Sequence, residues 1–149
     1  MKQLHTICYT SISDPLLGRG DIRALFDQVT RTNDALQMTG ILLYSFGRFL
    51  QVLEGERDQV LGMFTQKILG DPRHTDVFEI FNRPSIRPVF MDYSSRFTAV
   101  TTQVQLDGVR EYLAQVSSPT SQKISRLILP FILFGGGHQG KGPSENQCT

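Results

Sequence analysis

Thr39-Gly40-Ile41-Leu42-Leu43-Tyr44-Ser45-Phe46-Gly47-Arg48-Phe49-Leu50-Gln51-Val52-Leu53-Glu54-Gly55-Glu56 is the stretch that decides the fold. Two apolar runs, 40–45 and 49–53, flank the short turn 46–48, which contains a glycine. Runs of this length joined by such a turn predict a β-hairpin. Because both runs are nearly continuous in apolar residues, we expect the hairpin in the middle of a sheet and not at its edge.

Gln51 stands in the middle of the second run, with apolar neighbours on both sides. A buried primary amide needs partners for its donors and its acceptor oxygen, or its burial costs a few kcal/mol, roughly 2 or more. Gln51 therefore indicates a polar partner against this face of the sheet. Taken alone, it is also compatible with a side chain that points to solvent from a half-exposed strand.

The segments around the hairpin complete an α+β pattern. A helix that Asp21 caps follows the first strand, and Gly70-Asp71-Pro72 ends a second helix. The order β-α-β-β-α-β-β predicts a ferredoxin-like sheet with two helices on one face and one added strand. The predicted elements are strands over 4–10, 40–45, 49–53, 76–81 and 95–100 and helices over about 21–33 and 58–69, with 83–88 as a loop.

Beyond residue 105 the pattern becomes helical. One amphipathic helix is expected around 109–116, and a second over 124–134, which Pro130 is expected to bend. These helices are expected to cover the open face of the sheet or to pair with another subunit. The chain is thus divided into a core domain (1–104), a helical extension (105–134) and a Gly-rich tail (135–149) that is expected to be disordered.

Composition limits the classes of function. The 149 residues suit one domain, and a net charge of +1 argues against a nucleic-acid binder. No apolar run approaches the roughly 20 residues that span a bilayer, and the N-terminus lacks a signal peptide. Cys8, which is expected to be buried and inert, and Cys148 show no disulfide or metal-binding spacing. We therefore expect a soluble, cytoplasmic protein without a metal or a membrane partner.

Four segments stand out as a set: 4–11 with Tyr9, Asn33 with 39–44, 49–55 with Gln51, and Asp71-Pro72-Arg73-His74. Together they resemble the BLUF family of blue-light photoreceptors, which bind flavin. The resemblance covers about residues 1–100 and implies that the core domain binds FAD, with FMN or riboflavin as alternatives. No Gly-rich phosphate loop of the Walker or Rossmann kind is present, so we expect loose phosphate recognition.

The resemblance implies that Tyr9 and Gln51 are the photoactive pair. In the family, the excited flavin takes an electron and a proton from the tyrosine, and the glutamine changes orientation or tautomer. The rearranged hydrogen bonds strengthen the bond to the flavin C4 carbonyl and produce a small red shift. Strands one and three are neighbours in a ferredoxin-like sheet, so the two side chains are expected to meet. Without the family, the preferred interpretation of Tyr9 is a core tyrosine whose hydroxyl reaches water.

The resemblance also implies further cofactor-binding residues. The family asparagine at Asn33 bonds the flavin near C4 and N5, whereas the preceding Thr32 replaces the usual Asn or His. Without the family, Asn33 is an ordinary residue of a helix end, and a positive charge near Arg73 suits a helix C-terminus. Basic and acidic side chains expected near the flavin phosphate or ribityl chain are Lys67, Asp71, Arg73 and His74.

The segment 90–97 departs from the family. Tyr93 stands where the family has Trp, Ser95 where it has Met, and the chain contains no Trp. In the family these two positions relay the light signal from the glutamine to the C-terminal helices. Tyr93 is therefore assigned to signal relay with Ser95, or to a second electron donor, or to packing alone.

The first hypothesis is a short photoreceptor without enzymatic activity that signals to a partner protein or forms a homo-oligomer. Its apolar run 127–134 is a candidate contact surface, unless this run packs on the protein's own sheet. A second class is an enzyme on the same fold, either a flavin reductase or an acylphosphatase-like hydrolase, although Arg19 lacks a suitable partner. A third class is an RNA-binding sheet with exposed aromatic residues, such as Phe49.

Overall fold

The computed structural model describes residues 3–131, in which strands and helices alternate along the chain. None of the helices in this range is long and apolar enough to cross a bilayer. The strands are β1 (Leu4–Ser13), β2 (Thr39–Ser45), β3 (Arg48–Glu56), β4 (His74–Pro84) and β5 (Phe97–Ala99). The helices are α1 (Arg19–Ala35), α2 (Arg57–Gly62) with a π-helical continuation (Met63–Ile68), α3 (Gln103–Val116) and α4 (Pro119–Phe131).

The five strands form one sheet in the order β4-β1-β3-β2-β5. β1 pairs antiparallel with both β3 and β4, and β2 pairs antiparallel with β3. β5 adds to β2 in parallel at the far edge. This is the predicted ferredoxin-like sheet with one added strand, and it confirms that the hairpin lies inside the sheet and that β1 neighbours β3.

The hairpin turn contains two residues and not the three predicted, because Arg48 already pairs with Ser45. Phe46 and Gly47 have φ values of 50° and 77°. Positive φ at both central residues is the signature of the turn that matches the twist of two-residue hairpins. The glycine at the second position therefore suits the tight connection between β2 and β3.

Several strand ends differ from the sequence prediction. β4 continues through Pro84, which pairs with His5, so the first residues of the predicted loop belong to the sheet. Proline is tolerated there because β4 is an edge strand. β5 is shorter than predicted and begins at Phe97, so Ser95 lies in the turn before it.

The helix starts also differ from the prediction. α1 begins at Arg19 with Gly18 as its N-cap, and Asp21 lies inside the first turn. Its carboxylate accepts the backbone N–H of Gly18 at 2.9 Å. The second helix is α-helical only to Gly62 and then widens into the π-helical segment. π-Helical turns are rare and often occur at functional sites.

The sheet separates two apolar cores. On one face, α1, α2 and the π-helical segment cover side chains of β1, β2 and β3. On the other face, α3 and α4 cover a second set of side chains. This arrangement confirms that the C-terminal helices cover the face left open by the first two helices. The first core includes Ile7, Leu42, Leu53, Val60 and Phe64, and the second includes Cys8, Ile41, Leu50, Val52, Leu113 and Ile124.

The apolar run 127–134 packs inward as far as the structure describes it. Ile128 and Phe131 are buried in the second core, and Leu129 remains half exposed. Packing on the protein's own sheet is therefore the correct interpretation for 127–131. Residues 132–134 of the candidate contact surface and the tail 135–149 lie outside the described residues.

Cys8 is fully buried on β1. Burial raises the pKa of its thiol from the ordinary 9.0 to about 12. A thiol that stays protonated at neutral pH is a poor nucleophile, so Cys8 is the inert core residue that the sequence predicts. Cys148 lies outside the described residues.

Candidate functional site

A cleft lies between α1 and the π-helical segment, above strands β1 and β3 of the sheet. It encloses about 740 Å³, including space open to solvent. Its mixed apolar and polar lining is typical of small-molecule sites. The apolar lining is Leu25, Val29, Leu42, Phe49, Leu53, Met63 and Ile68; the polar lining is Tyr9, Gln28, Thr32, Asn33, Gln51, Lys67, Asp71, Arg73 and His74.

Tyr9 and Gln51 form the floor of the cleft. They are direct register partners in the β1–β3 pair, so their side chains lie on the same face of the sheet. Gln51 Nε2 donates to the Tyr9 hydroxyl at 2.8 Å, and both residues are buried. The β1–β4 pairing shifts register between Cys8 and Tyr9, which places a β-bulge beside this pair.

The oxygen of the same amide has no partner. Four buried side-chain polar atoms of the described residues lack a hydrogen bond, and Gln51 Oε1 is the one whose residue lines the cleft. A buried acceptor left unpaired costs about 1–3 kcal/mol. The Gln51 amide therefore offers an unused acceptor at the site.

Tyr9 is a neutral phenol at physiological pH. Burial raises the pKa of its hydroxyl well above the ordinary value, and the hydrogen bond from Gln51 opposes that rise only in part. Because the Tyr9 oxygen accepts from Gln51, its own hydrogen is available to a second acceptor. The pair thus holds one donor and one acceptor beside each other.

Asn33 contributes a second amide. It lies in the last turn of α1, as predicted, and its side chain is buried. Its backbone carbonyl accepts the N–H of Met38 at 2.8 Å. Its side chain makes no hydrogen bond within residues 3–131, so both ends of this amide remain available to a ligand in the cleft.

A polar bridge crosses the cleft between α1 and the loop before β4. Arg73 binds Asp71 through Nε and Nη2, with N–O distances of 2.7–3.2 Å. Its Nη1 donates to Gln28 Oε1 on α1 at 2.9 Å. The Arg73 guanidinium holds the pKa of the Asp71 carboxyl below its usual range. Lys67 is exposed and forms no ion pair with a described residue.

His74 lines the cleft, but both of its ring nitrogens are engaged within the protein. Nε2 lies 2.6 Å from the Ile68 carbonyl, and Nδ1 lies 2.7 Å from Ser11 Oγ. A carbonyl only accepts, so Nε2 carries a hydrogen. The ring meets the Tyr9 ring edge-on, with centroids 6.1 Å apart. In this arrangement His74 positions Tyr9 and the π-helical segment, and neither nitrogen is left for a phosphate.

Tyr93 and Ser95 are placed apart from the cleft. Tyr93 packs against Phe90 and Tyr112, with ring centroids 5.9 and 4.7 Å apart, on the side of the sheet that α3 covers. Ser95 is exposed in the turn before β5. The structure therefore brings together seven of the predicted site residues, and these two are not among them.

Gln28 is a polar lining residue that the sequence prediction missed, and Thr32, noted there only as a departure from the family, is another. Gln28 is exposed on α1 and looks like an ordinary surface residue. Its spacing of four residues to Thr32 places both on one side of the helix, which is the local signal that was available. Its bond to Arg73 joins residues 45 positions apart, and no local pattern reveals such a contact.

The features required by the alternative classes lie elsewhere or are buried. Phe49 is only 3% exposed, so it cannot offer the open stacking surface of an RNA-binding sheet. Arg19 begins α1 and does not line the cleft. No group of three or more His, Cys, Asp or Glu within residues 3–131 is arranged to hold a metal ion.

Solved structures share this fold. The chain is 32% identical to Klebsiella pneumoniae BlrP1, described with FMN and cyclic diGMP, with a TM-score of 0.67 over 89% of this chain and 35% of that chain. A structure named BlrP1 BLUF is 30% identical, with a TM-score of 0.68 over 91% of this chain and 94% of that chain. In both cases the match covers about nine-tenths of this chain.

Curated relatives contain a similar segment within much longer chains. Photoactivated adenylate cyclase subunit beta of Euglena longa is 41% identical over 81 residues, which are 54% of this chain and 9% of that protein. Subunit alpha of Euglena gracilis is 35% identical over 130 residues, which are 87% of this chain and 12% of that protein. The chain therefore spans about a tenth of these relatives.

The profile of one family matches residues 4–96, which is more than half of the chain. The matched range holds β1 to β4 and every residue that lines the cleft. The description of that family is sensors of blue-light using FAD. The chain belongs to the BLUF family of flavin-binding blue-light photoreceptors.

Proposed function

We propose that the chain binds a flavin non-covalently in this cleft and responds to blue light through Tyr9 and Gln51. The rearranged hydrogen bonds then signal to a partner protein or to a second copy of the chain. The observation that carries the proposal is the buried Tyr9–Gln51 pair, which leaves the acceptor Gln51 Oε1 unpaired at the site. The free Cys8 suits a reducing compartment, so we place the protein in the cytoplasm.

The residues of the cleft fit a flavin. Val29 on α1 and Met63 and Ile68 on the π-helical segment supply apolar walls that suit an aromatic ring system. The amides of Gln51 and Asn33 have unused donors and acceptors that match the carbonyl and N–H groups of a flavin ring. Since Gln51 Oε1 is buried, a ligand that pairs with it removes a cost that the protein otherwise bears.

The lining also carries positive charge that suits a phosphate. Lys67 is free of ion pairs with the described residues, whereas Asp71 offsets much of the charge of Arg73. With one unpaired cation and no phosphate loop, recognition of the phosphate end is expected to be loose. We propose FAD as the cofactor, with FMN or riboflavin able to occupy the same ring site.

The photochemical role of the protein follows from the pair on the cleft floor. A bound flavin supplies the absorption of blue light and an acceptor for one electron and one proton. Tyr9 keeps its proton at neutral pH and would donate both. Both would then return to Tyr9, so that no net oxidation or reduction remains. The two ends of the Gln51 amide are nearly equal in size, so a rotation exchanges its donor and acceptor without a change in volume. After such a rotation Tyr9 donates to Gln51, and Gln51 donates into the cleft.

In this proposal the chain is a sensor and not an enzyme. The amides and the phenol serve to bind the flavin or to exchange hydrogen bonds, and His74 is committed to positioning. The named relatives are adenylate cyclase subunits in which the matching segment is a small part of the chain. We infer that the output is likewise carried by another polypeptide region or by a partner.

Absorption spectra before and after blue illumination test the proposal. The purified protein, reconstituted with FAD or FMN, should be yellow and should show a small red shift that reverses in the dark. Tyr9→Phe should remove this shift, because the phenol is the donor. Tyr44→Phe is the matched control, since Tyr44 packs against Phe49 without lining the cleft. A protein that stays colourless with both flavins, or binds flavin and shows no shift, would contradict the proposal.

A further inference from the structure

Glu54 is a fully buried carboxylate on the same strand as Gln51. The two positions are three apart along the strand, so their side chains point to opposite faces of the sheet. Glu54 Oε1 accepts the Thr39 hydroxyl at 2.8 Å and the Phe90 N–H at 2.9 Å. Glu54 Oε2 accepts the Val89 N–H at 2.7 Å. One carboxylate thus joins β3 to β2 and to the segment before β5.

The burial of this group needs a reason beyond packing. None of the ion pairs of residues 3–131 includes Glu54, so no cation offsets its charge at close range. Burial raises the pKa of its carboxyl, and the bonds from Phe90, Thr39 and Val89 counteract that rise. An apolar residue of similar size would avoid this cost. The benefit that Glu54 offers is the directed pair of bonds to the backbone at 89 and 90.

The same peptide segment is held from the other side by α3. The hydroxyl of Tyr112 donates to the Val89 carbonyl at 2.7 Å. The Tyr112 ring also stacks on Phe90, with centroids 5.9 Å apart. Val89 therefore receives a bond from α3 at its oxygen and gives one to β3 at its nitrogen.

These hydrogen bonds connect β3 to α3, and each has a donor–acceptor distance of 2.9 Å or less. Apolar packing also joins α3 to the sheet, but it is non-directional and tolerates small displacements. Of the two positions that differ from the family, Ser95 lies in an exposed turn, and Tyr93 is partly buried beside Phe90 and Tyr112. The carboxylate route does not depend on either of those side chains.

We propose that Glu54 is a positioning residue that couples β3 to α3, so that a rearrangement at Gln51 reaches the helical layer through Val89 and Tyr112. This inference rests on the proposed photoreceptor function. It names α3, and with it α4, as the part of the chain whose stability changes in the light.

Hydrogen exchange of residues 103–116 in the dark and under blue light tests the coupling. The flavin-loaded unmodified chain should show a light-dependent change in this segment. Tyr112→Phe removes the bond to Val89 and keeps the aromatic ring, whereas Glu54→Gln replaces one of the two acceptor atoms with a donor. In both variants the light–dark difference should fall about five-fold or more, the size expected when one hydrogen bond is lost. Their red shift should stay unchanged.

Thr39→Val is the matched control, because it removes one bond to Glu54 and leaves both backbone bonds in place. It should retain the light–dark difference. If Tyr112→Phe and Glu54→Gln keep a normal red shift and an undiminished light–dark difference in hydrogen exchange, the inference alone is overturned. It is also overturned if the unmodified chain shows the red shift but no light-dependent change in the exchange of α3. Loss of the red shift in the unmodified chain would overturn the proposed function, and this inference with it.

Discussion

The Gln51 amide uses one of its two ends inside the protein. Its nitrogen donates to Tyr9, and its buried oxygen has no partner within residues 3–131. A residue selected for stability alone would avoid an unpaired buried acceptor. The register that places Gln51 opposite Tyr9 follows from the β1–β3 pairing, so the geometry of the pair is set by the sheet and not by a flexible loop.

Replacing Gln51 by Leu should preserve flavin binding and abolish the red-shifted state. Leu fills a similar volume on the apolar face but cannot exchange a donor for an acceptor. Absorption spectra of the illuminated protein measure the outcome. Gln28→Leu is the control, because it removes an amide from the same cleft that contacts Arg73 and not Tyr9. A persistent red shift in Gln51→Leu would exclude Gln51 from the response.

The raised pKa of the buried Cys8 thiol predicts that the protein loses stability at alkaline pH. Its pKa is raised by burial from 9.0 to about 12, so above pH 9 the unfolded chain releases a proton that the folded chain retains. Stability is therefore full below pH 9 and should fall by up to about 1.4 kcal/mol for each further pH unit from this group. Urea unfolding at pH 8 and pH 10 measures the slope.

Cys8→Ala provides the comparison for that slope. The variant should be less stable at pH 8, since it leaves a small cavity, but its stability should decline less between pH 8 and pH 10. Tyr9, whose pKa is also raised, contributes in the same direction only at higher pH, because an unfolded tyrosine titrates at about 10. Equal slopes in both proteins would show that the Cys8 thiol is not the titrating group.

Among the elements, the β2–β3 hairpin depends on the close approach of Gly40 to the backbone of Val52. Gly40 has a φ of +137°, and a Cβ at this position would lie 1.8 Å from the Val52 carbonyl oxygen. No other residue fits without moving one of the two strands. The hairpin carries Gln51 and Glu54, so a displacement here reaches both faces of the sheet.

Gly40→Ala should destabilise the fold by about 3 kcal/mol or more, because strained backbone and a backbone clash add together. Gly62→Ala is the matched substitution at a helical glycine where an added Cβ meets nothing within 4 Å. It should be neutral or stabilise by up to about 1 kcal/mol. Thermal unfolding followed by circular dichroism compares the two, and equal effects would contradict the role given to Gly40.

Most elements could be predicted from local pattern, and the differences have physical causes. The end of β4 was missed because Pro84 normally argues against a strand, yet on an edge strand its missing N–H is not required. The π-helical segment was missed because its apolar residues follow nearly the spacing of an α-helix. Ser95 was assigned to a strand that begins two residues later.

The candidate site was predictable where it depends on topology and not where it depends on long-range side-chain contacts. Tyr9 and Gln51 follow from the neighbouring strands, and Asn33 follows from the end of α1. The bond from Arg73 to Gln28 and the two bonds of His74 join distant residues, so no local pattern signals them. The resemblance to a family identified His74 as a site residue, but it did not indicate that both ring nitrogens bond to other residues of the protein.

For the whole molecule, the sheet is stabilised from both sides. The apolar core beneath α1 and α2 includes the walls of the cleft, and the second core lies beneath α3 and α4. The helices α3 and α4 are therefore part of the folded unit, although the family profile ends at residue 96. The division of the chain near residue 104 separates segments that share a core.

Removal of residues 103–149 should leave a chain that aggregates or fails to fold. It exposes at least four buried aliphatic side chains of the sheet: Ile41, Leu43, Leu50 and Val52. At about 1.5–3 kcal/mol each, this loss approaches the whole stability of a typical domain, about 5–15 kcal/mol.

Removal of residues 132–149 alone is the control for that truncation. It keeps every residue of the two described cores, so the shortened chain should fold and bind flavin. Size-exclusion chromatography and circular dichroism distinguish the two chains. A soluble, cooperatively folding chain that ends at residue 102 would show that the second core is dispensable.

Within residues 3–131 no side chain belongs to both cores, so the sheet separates two apolar cores that share no side chain. Any apolar cover of suitable shape could replace the α3/α4 layer and leave the flavin side intact. Similar segments occur within larger proteins, where they make up 9% to 35% of the chain.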